Sequence, residues 1–126
     1  MSVTEMKLAL DDTYMNVIRF GSGSETVIII SGVSLTGLEG QGEAVAEAYQ
    51  LFSAQYSVYL FERKKVLKEG YRVEDMAEDI SRAMELLHLD SAYVYGVSQG
   101  GMIAQILAIR YPEKVKKLVL CSTMSR

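Results

Sequence analysis

The chain has 126 residues, a length that suits one domain, and we predict a single domain over residues 1–126. Its 49% hydrophobic and 23% charged residues are typical of globular proteins and argue against a disordered or membrane-embedded chain. The net charge of −3 is spread along the sequence, so we expect a small-molecule partner rather than a nucleic acid or an anionic membrane.

Cysteine usage and the amino terminus bear on the cellular compartment. Cys121 is the single cysteine, which excludes an internal disulfide framework and a multi-cysteine zinc site. Residues 1–6 contain no apolar signal-peptide core, and the longest apolar runs, such as residues 27–30, fall far short of the roughly 20 residues that span a bilayer. We therefore expect a cytoplasmic protein without a membrane anchor.

The amino-terminal part of the sequence predicts a hairpin, a strand and a helix. Residues 6–10 and 14–20 mix apolar and polar side chains around Asp11-Asp12-Thr13 and predict two antiparallel strands. Residues 26–30 are apolar without alternation, which predicts a central parallel strand covered on both faces. A first crossover helix is then predicted from apolar residues at helical spacing, which are Ala44, Val45, Ala48, Leu51 and Phe52.

The rest of the chain alternates strands with helices. Periodicity predicts strands at residues 57–61, 92–95 and 117–121 and helices at residues 76–87 and 99–111. The charged run that begins at Glu62 predicts a loop that continues to Gly70. Pro112 ends the last helix because it cannot continue the helical hydrogen bonding.

This order of elements predicts a three-layer α/β/α sandwich, with a mostly parallel sheet and an amino-terminal antiparallel hairpin. Residues 118–121 of the last predicted strand are apolar on both faces, yet as the final strand it would leave one backbone edge unpaired. We therefore expect a second copy of the chain, as a homodimer, or a missing carboxy-terminal half to pair with this edge.

The pentapeptide Gly96-Val97-Ser98-Gln99-Gly100 lies where a predicted strand turns into a predicted helix. Such a turn strains the central residue and exposes its side chain, while the flanking glycines avoid clashes between strand and helix. The spacing predicts Ser98 as a nucleophile. At the start of the helix, the Gln99 N–H is the expected first donor to an oxyanion.

A second oxyanion donor is expected from the loop that follows the first parallel strand, Ser31-Gly32-Val33. Glycine there lets the backbone approach a substrate, and we predict the Val33 N–H as the donor. We expect Gly32 and Ser34 to contact the substrate. The pentapeptide alone is a weak signal, so the strand before it, the helix after it and this upstream loop supply most of the evidence.

The residues from Ala92 to Ala104 resemble the nucleophile elbow and following helix of the α/β-hydrolase superfamily. Residues 27–32 resemble its oxyanion strand, residues 70–79 its pre-elbow helix, and residues 111–115 its turn into the next strand. The resemblance implies the amino-terminal part of an α/β-hydrolase fold with a serine nucleophile and no metal or organic cofactor. It departs at Ser31, where many members have histidine, and at residues 61–64, where Asp-x-Arg-Gly is frequent.

The family's catalytic acid and histidine follow the elbow, and this sequence contains no aspartate or histidine after Ser98. Glu113 is expected at the opposite end of the sheet. His88 precedes the strand that leads to Ser98, which separates the two side chains by roughly 17 Å. We therefore expect an incomplete triad and negligible turnover by this chain alone.

Two further sets of residues are assigned structural roles. Cys121 is interpreted as a small core residue. The cluster Arg63, Lys64, Lys65 and Lys68 is interpreted as a solvated loop, with contact to an anionic substrate as the alternative.

Three functional hypotheses remain. The first is a serine hydrolase of ester, amide or similar carbonyl substrates, and the second is a non-catalytic α/β-hydrolase-like binding or assembly module. The third is a nucleotide-binding domain, from the glycines at 32, 37, 40 and 42. Their spacing lacks the Lys-Ser/Thr of a P-loop and does not match Gly-x-Gly-x-x-Gly, which disfavours this hypothesis.

Overall fold

The computed structural model describes residues 2–11, 13–31, 40–65, 67 and 69–121. Its strands are β1 Val3–Leu10, β2 Thr13–Phe20, β3 Glu25–Ile30, β4 Tyr56–Lys64, β5 Ala92–Val97 and β6 Val115–Cys121. Its helices are α1 Gly42–Ala48, α2 Val73–Leu86 and α3 Gln99–Arg110, with single 3₁₀ turns at Gln50–Phe52 and Pro112–Lys114. Within these described ranges, no helix is both long and apolar enough to cross a membrane.

The strands form one six-stranded sheet in the order β1-β2-β4-β3-β5-β6. β1 pairs with β2 and β2 with β4 in antiparallel register, whereas β4, β3, β5 and β6 run parallel. The predicted hairpin, the predicted central strand and the mostly parallel sheet are therefore confirmed.

The central strands of the sheet are buried on both faces. One face packs against α1 through a cluster that includes Phe20, Ile29 and Ala46. The other packs against α2 and α3 through a cluster that includes Ile30 and Leu107. Because β3 sends successive side chains to opposite faces, its apolar run is buried from Val27 to Ile30, and the three-layer prediction is confirmed.

The predicted charged loop after residue 61 is wrong over its first three residues, because β4 continues to Lys64. Pairing with β2 extends the strand, with Met15 opposite Lys64. The Lys64 side chain is 6% exposed, and its ammonium lies 2.9 Å from an Asp11 carboxylate oxygen and 3.7 Å from one of Asp79. These carboxylates compensate the buried charge, which is why a lysine occupies an interior position.

The first crossover helix is shorter than its predicted apolar stripe. α1 ends at Ala48, and the chain tightens into the 3₁₀ turn Gln50–Phe52. The tighter turn directs Phe52 onto the sheet, where its ring packs edge-on against Tyr56 and Tyr95, and leaves Leu51 94% exposed. Leu51 is therefore not a core residue.

Candidate active site

Ser98 occupies the turn between β5 and α3 with φ 56° and ψ −122°. This positive φ is uncommon for a residue with a side chain and strains the backbone. Two hydrogen bonds hold the turn: the Ser98 N–H donates to the Cys121 carbonyl at 3.1 Å, and the Ser98 carbonyl accepts from the Gly101 N–H at 2.9 Å. The serine side chain is exposed, as the elbow pattern predicts.

The glycines of the elbow are required by close backbone packing. A Cβ at Gly96 would lie 2.6 Å from the Cα of Gly101, and one at Gly100 would lie 1.9 Å from the Ile30 carbonyl oxygen. Both distances are too short for any side chain. The first turn of α3 therefore lies directly against the ends of β3 and β5, and this contact positions Ser98.

Gln99 begins α3, so its N–H is among the backbone donors at the helix amino terminus that lack an intrahelical partner. The partial positive charge of that terminus favours an anion beside Ser98. The role of the Gln99 N–H as an oxyanion donor stays a prediction.

Arg63 reaches from β4 to the elbow. Its Nη2 donates to the Ser31 carbonyl at 2.7 Å and to Gln99 Oε1 at 2.9 Å, and its Nε also donates to Gln99 Oε1, at 3.2 Å. Burial lowers the pKa of Arg63 to about 10, so the guanidinium remains charged at neutral pH.

The interpretation of the basic cluster as a solvated loop is wrong for Arg63 and Lys64. Both lie in β4, where Arg63 is partly buried and Lys64 is buried, while Lys65 is exposed just after the strand. Arg63 binds the Ser31 carbonyl and the Gln99 side chain. Lys64 pairs with the carboxylates of Asp11 and Asp79. These partners compensate the cost of removing the two positive charges from water. Lys68 lies outside the described residues.

The other half of the expected oxyanion site also lies outside the described residues. Gly32, Val33 and Ser34 belong to that segment, so their assigned roles stay predictions. Ser31 is described, and its carbonyl is bound by Arg63 as the chain leaves β3.

His88 and Glu113 lie where they were expected, whereas Cys121, interpreted as a core residue, is only half-buried. His88 is exposed at the end of α2 with φ 60°, before β5 and thus at the opposite end of that strand from Ser98. Glu113 lies in the 3₁₀ turn that precedes β6, also away from the elbow. Cys121 is half-buried, and its backbone carbonyl supports Ser98. Within the described ranges, no group of three or more His, Cys, Asp or Glu side chains could hold a metal ion.

Sequence reasoning missed Arg63 as part of the site. The signal was present, because Arg63 occupies the arginine position of the family's Asp-x-Arg-Gly segment. The surrounding residues Glu62, Lys64 and Lys65 concealed it, since a run of charges is typical of a loop.

A mostly parallel sheet that presents a strained serine between a strand and a helix defines an α/β protein of the nucleophile-elbow class. A family profile described as the alpha/beta hydrolase fold matches residues 39–126, which is more than half of the chain. The chain belongs to the α/β-hydrolase family.

Relatives in this family carry hydrolase names. A Caulobacter sp. (strain K31) protein named carbamate hydrolase RutD is 30% identical over 111 residues, covering 83% of this chain and 40% of the relative. The 3-oxoadipate enol-lactonase 2 of Acinetobacter baylyi is 23% identical over 94% of this chain and 45% of its own length. The solved thioesterase domain from the curacin biosynthetic pathway has a TM-score of 0.75 at 24% identity, over 98% of this chain and 47% of that one. The chain thus spans less than half the length of these relatives.

Proposed function

We propose that Ser98 is the nucleophile of a serine hydrolase that acts on ester, amide or similar carbonyl substrates. The observation that carries this proposal is the exposed serine with φ 56° at the amino terminus of α3, held in a turn that only glycines permit at 96 and 100. Backbone strain of this kind is maintained only where the surrounding structure enforces it, and it is concentrated at functional sites.

In the proposed reaction, Ser98 Oγ attacks the substrate carbonyl carbon, and the Gln99 N–H donates to the oxygen as it becomes negative. The Val33 N–H is proposed as the second donor, with Gly32 and Ser34 beside the substrate. Two further groups are needed: a base that removes the serine proton and an acid that orients this base. Both are proposed to come from outside residues 1–126, either from further sequence or from a partner. We infer that this chain alone turns over substrate negligibly, because an unassisted serine hydroxyl is a weak nucleophile at neutral pH.

The names of the relatives support a shared class of chemistry rather than one substrate. A carbamate, an enol-lactone and a thioester each place a leaving heteroatom on a carbonyl carbon, which a serine nucleophile can attack. We propose a small molecule with such a carbonyl as the substrate and the cytoplasm as the site of action.

The test is labelling by a fluorophosphonate probe of the complete gene product and, separately, of residues 1–126. We expect labelling of the complete product that disappears in Ser98→Ala and persists in Ser24→Ala, an exposed serine before β3. Absence of Ser98-dependent labelling in the complete product would contradict the nucleophile assignment. Rapid labelling of residues 1–126 would instead contradict the need for an outside base.

A non-catalytic binding or assembly module is the second candidate, favoured by the surface beside β6. Val119 and Leu120 are 48% and 42% exposed on this outermost strand. Beside it lies a cavity of about 320 Å³ whose lining includes Phe52, Tyr93 and Tyr95. An unlabelled gene product that self-associates through this surface would favour the second candidate over the first.

A further inference from the structure

We propose that Arg63 is a positioning residue that holds Gln99, whose N–H is expected to donate to the oxyanion, against the end of β3. This inference rests on the proposed function and assigns a specific side chain to its geometry. Arg63 lies in β4 and acts on the site through Ser31 and Gln99.

The contact joins β4, the end of β3 and the start of α3, at the carboxyl ends of the parallel strands. β3 pairs with β4 and with β5, so the end of β3 lies between Arg63 and the elbow. From β4, the guanidinium spans this gap and binds the Ser31 carbonyl at 2.7 Å and Gln99 Oε1 at 2.9 and 3.2 Å. One rigid group therefore connects Ser31, the residue after β3, to the first residue of α3.

The two ends of this contact have different parts. The Ser31 carbonyl, on the residue that follows β3, anchors the guanidinium at 2.7 Å. Binding the Gln99 side chain then restricts the residue whose N–H is the expected oxyanion donor. A displacement of about 1 Å at such a site can cost roughly 100-fold in rate, so a group that sets this spacing has catalytic consequences.

The chemistry of the contact requires arginine. The planar fork presents Nε and Nη2 along one side, where both reach Gln99 Oε1 while Nη2 also reaches Ser31. A lysine ammonium is a single point charge on a flexible stem and lacks this geometry. Arg63 Nη1 is shielded from solvent and has no hydrogen-bond partner among the described residues. Burying a charge with one donor unsatisfied is costly, which favours a positional role over a purely stabilising one.

The experiment uses the complete gene product that contains this chain, with p-nitrophenyl acetate as substrate. The variants are Arg63→Met, Arg63→Lys and Gln99→Leu, the last of which keeps the Gln99 N–H. Arg19→Met is the matched control, because Arg19 also makes a partly buried bond, to the Tyr59 hydroxyl at 3.1 Å, but lies on β2 away from the elbow.

We expect Arg63→Met to lower kcat by about 10- to 100-fold with KM changed by less than about threefold, since a positioning defect acts on the transition state. Arg63→Lys should not restore kcat. Gln99→Leu should lower kcat in the same way, and its combination with Arg63→Met should lose less than the product of the two single losses. Arg19→Met should keep the wild-type kcat.

The outcomes separate this inference from the proposed function. Ser98-dependent turnover in the wild type, with Arg63→Met and Arg19→Met equally active, overturns the role of Arg63 and leaves the hydrolase proposal intact. Full rescue by Arg63→Lys also overturns it. If Arg63→Met does not fold, Gln99→Leu decides: an unchanged kcat overturns the inference. Absence of any Ser98-dependent turnover overturns the proposed function and this role with it.

Discussion

At the scale of the residue, Ser98 depends on the absence of side chains around it. Gly100 lies in α3, where alanine is ordinarily the better helix former by about 1 kcal/mol. Close packing reverses that preference here, because a Cβ at this position would lie 1.9 Å from the Ile30 carbonyl oxygen, an atom of a central strand that cannot move aside.

We therefore expect Gly100→Ala to lower the free energy of unfolding by about 3 kcal/mol, measured by urea denaturation. Gly42→Ala is the matched control in α1. The three atoms nearest to its Cβ would be side-chain atoms, Glu5 Oε2 at 2.7 Å, Glu5 Cγ at 2.9 Å and Val3 Cγ1 at 3.1 Å, which shift more readily than a strand backbone, so the loss should stay below about 2 kcal/mol. Equal losses in the two variants would contradict the packing argument for the elbow.

Asp11 provides a second prediction, on pH dependence. Hydrogen bonds from Arg82 and Lys64 lower the pKa of its carboxyl from an ordinary value of 3.8. A folded-state pKa below the unfolded value means that the ionised group stabilises the fold above the unfolded pKa, and that this stabilisation is lost as pH falls through the folded value.

Asp11→Asn should therefore be less stable than the wild type near pH 7, and the difference should narrow progressively as pH falls below about 4, as followed by thermal unfolding. Asparagine suits the test because it tolerates the left-handed backbone that Asp11 adopts, with φ 55°. A difference that stays constant across this pH range would show that the charge is not its cause.

The elbow could be predicted at residue level, and the part played by Arg63 could not. Ser98 and its glycines form a local pattern whose geometry follows from sterics within five residues. Arg63 is 32 residues from Ser31 and 36 from Gln99, so its contacts depend on how β3, β4 and α3 assemble. The run of charged residues around Arg63 instead favoured a solvated loop.

At the scale of the element, β4 illustrates how tertiary pairing overrides local sequence. Hydropathy ends the strand near Phe61, but β2 continues alongside and provides backbone partners as far as Lys64. Lys64 then lies between Asp11 and Asp79, and burial raises the pKa of Asp79, so this carboxylate depends on nearby positive charge. Where the end of a strand is set by pairing with a strand that is distant in sequence, the periodicity of the local sequence does not predict it.

We expect Lys64→Met to destabilise the fold by about 3 kcal/mol in urea denaturation, because Asp79 loses the ammonium that compensates its buried charge. Lys65→Met is the control, since Lys65 is exposed beside it and should change stability by less than about 0.5 kcal/mol. Adding Asp79→Leu to Lys64→Met should recover part of the loss. A double variant as unstable as the sum of its parts would contradict the ion-pair explanation.

At the scale of the whole molecule, the alternation of strands and helices was enough to predict the layers, the parallel core and the amino-terminal hairpin. The position of β6 was also expected: within the described residues it ends the sheet beside β5, and no strand lies on its outer side. Its residues from Leu118 to Cys121 are apolar on both faces, as in an interior strand, although Lys116 and Lys117 are exposed at its start.

Residues 1–126, prepared alone, should therefore self-associate through β6, because an apolar edge offers a row of backbone donors and acceptors to another strand. We expect the weight-average sedimentation coefficient to rise with concentration and Val119→Lys to suppress that rise, since a charged side chain on an edge opposes pairing. Leu51→Lys is the control: Leu51 is 94% exposed in the turn after α1, so its replacement should leave association unchanged. Circular dichroism would verify that both variants keep the fold. A monomer at all concentrations, or equal effects of the two variants, would contradict self-association through β6.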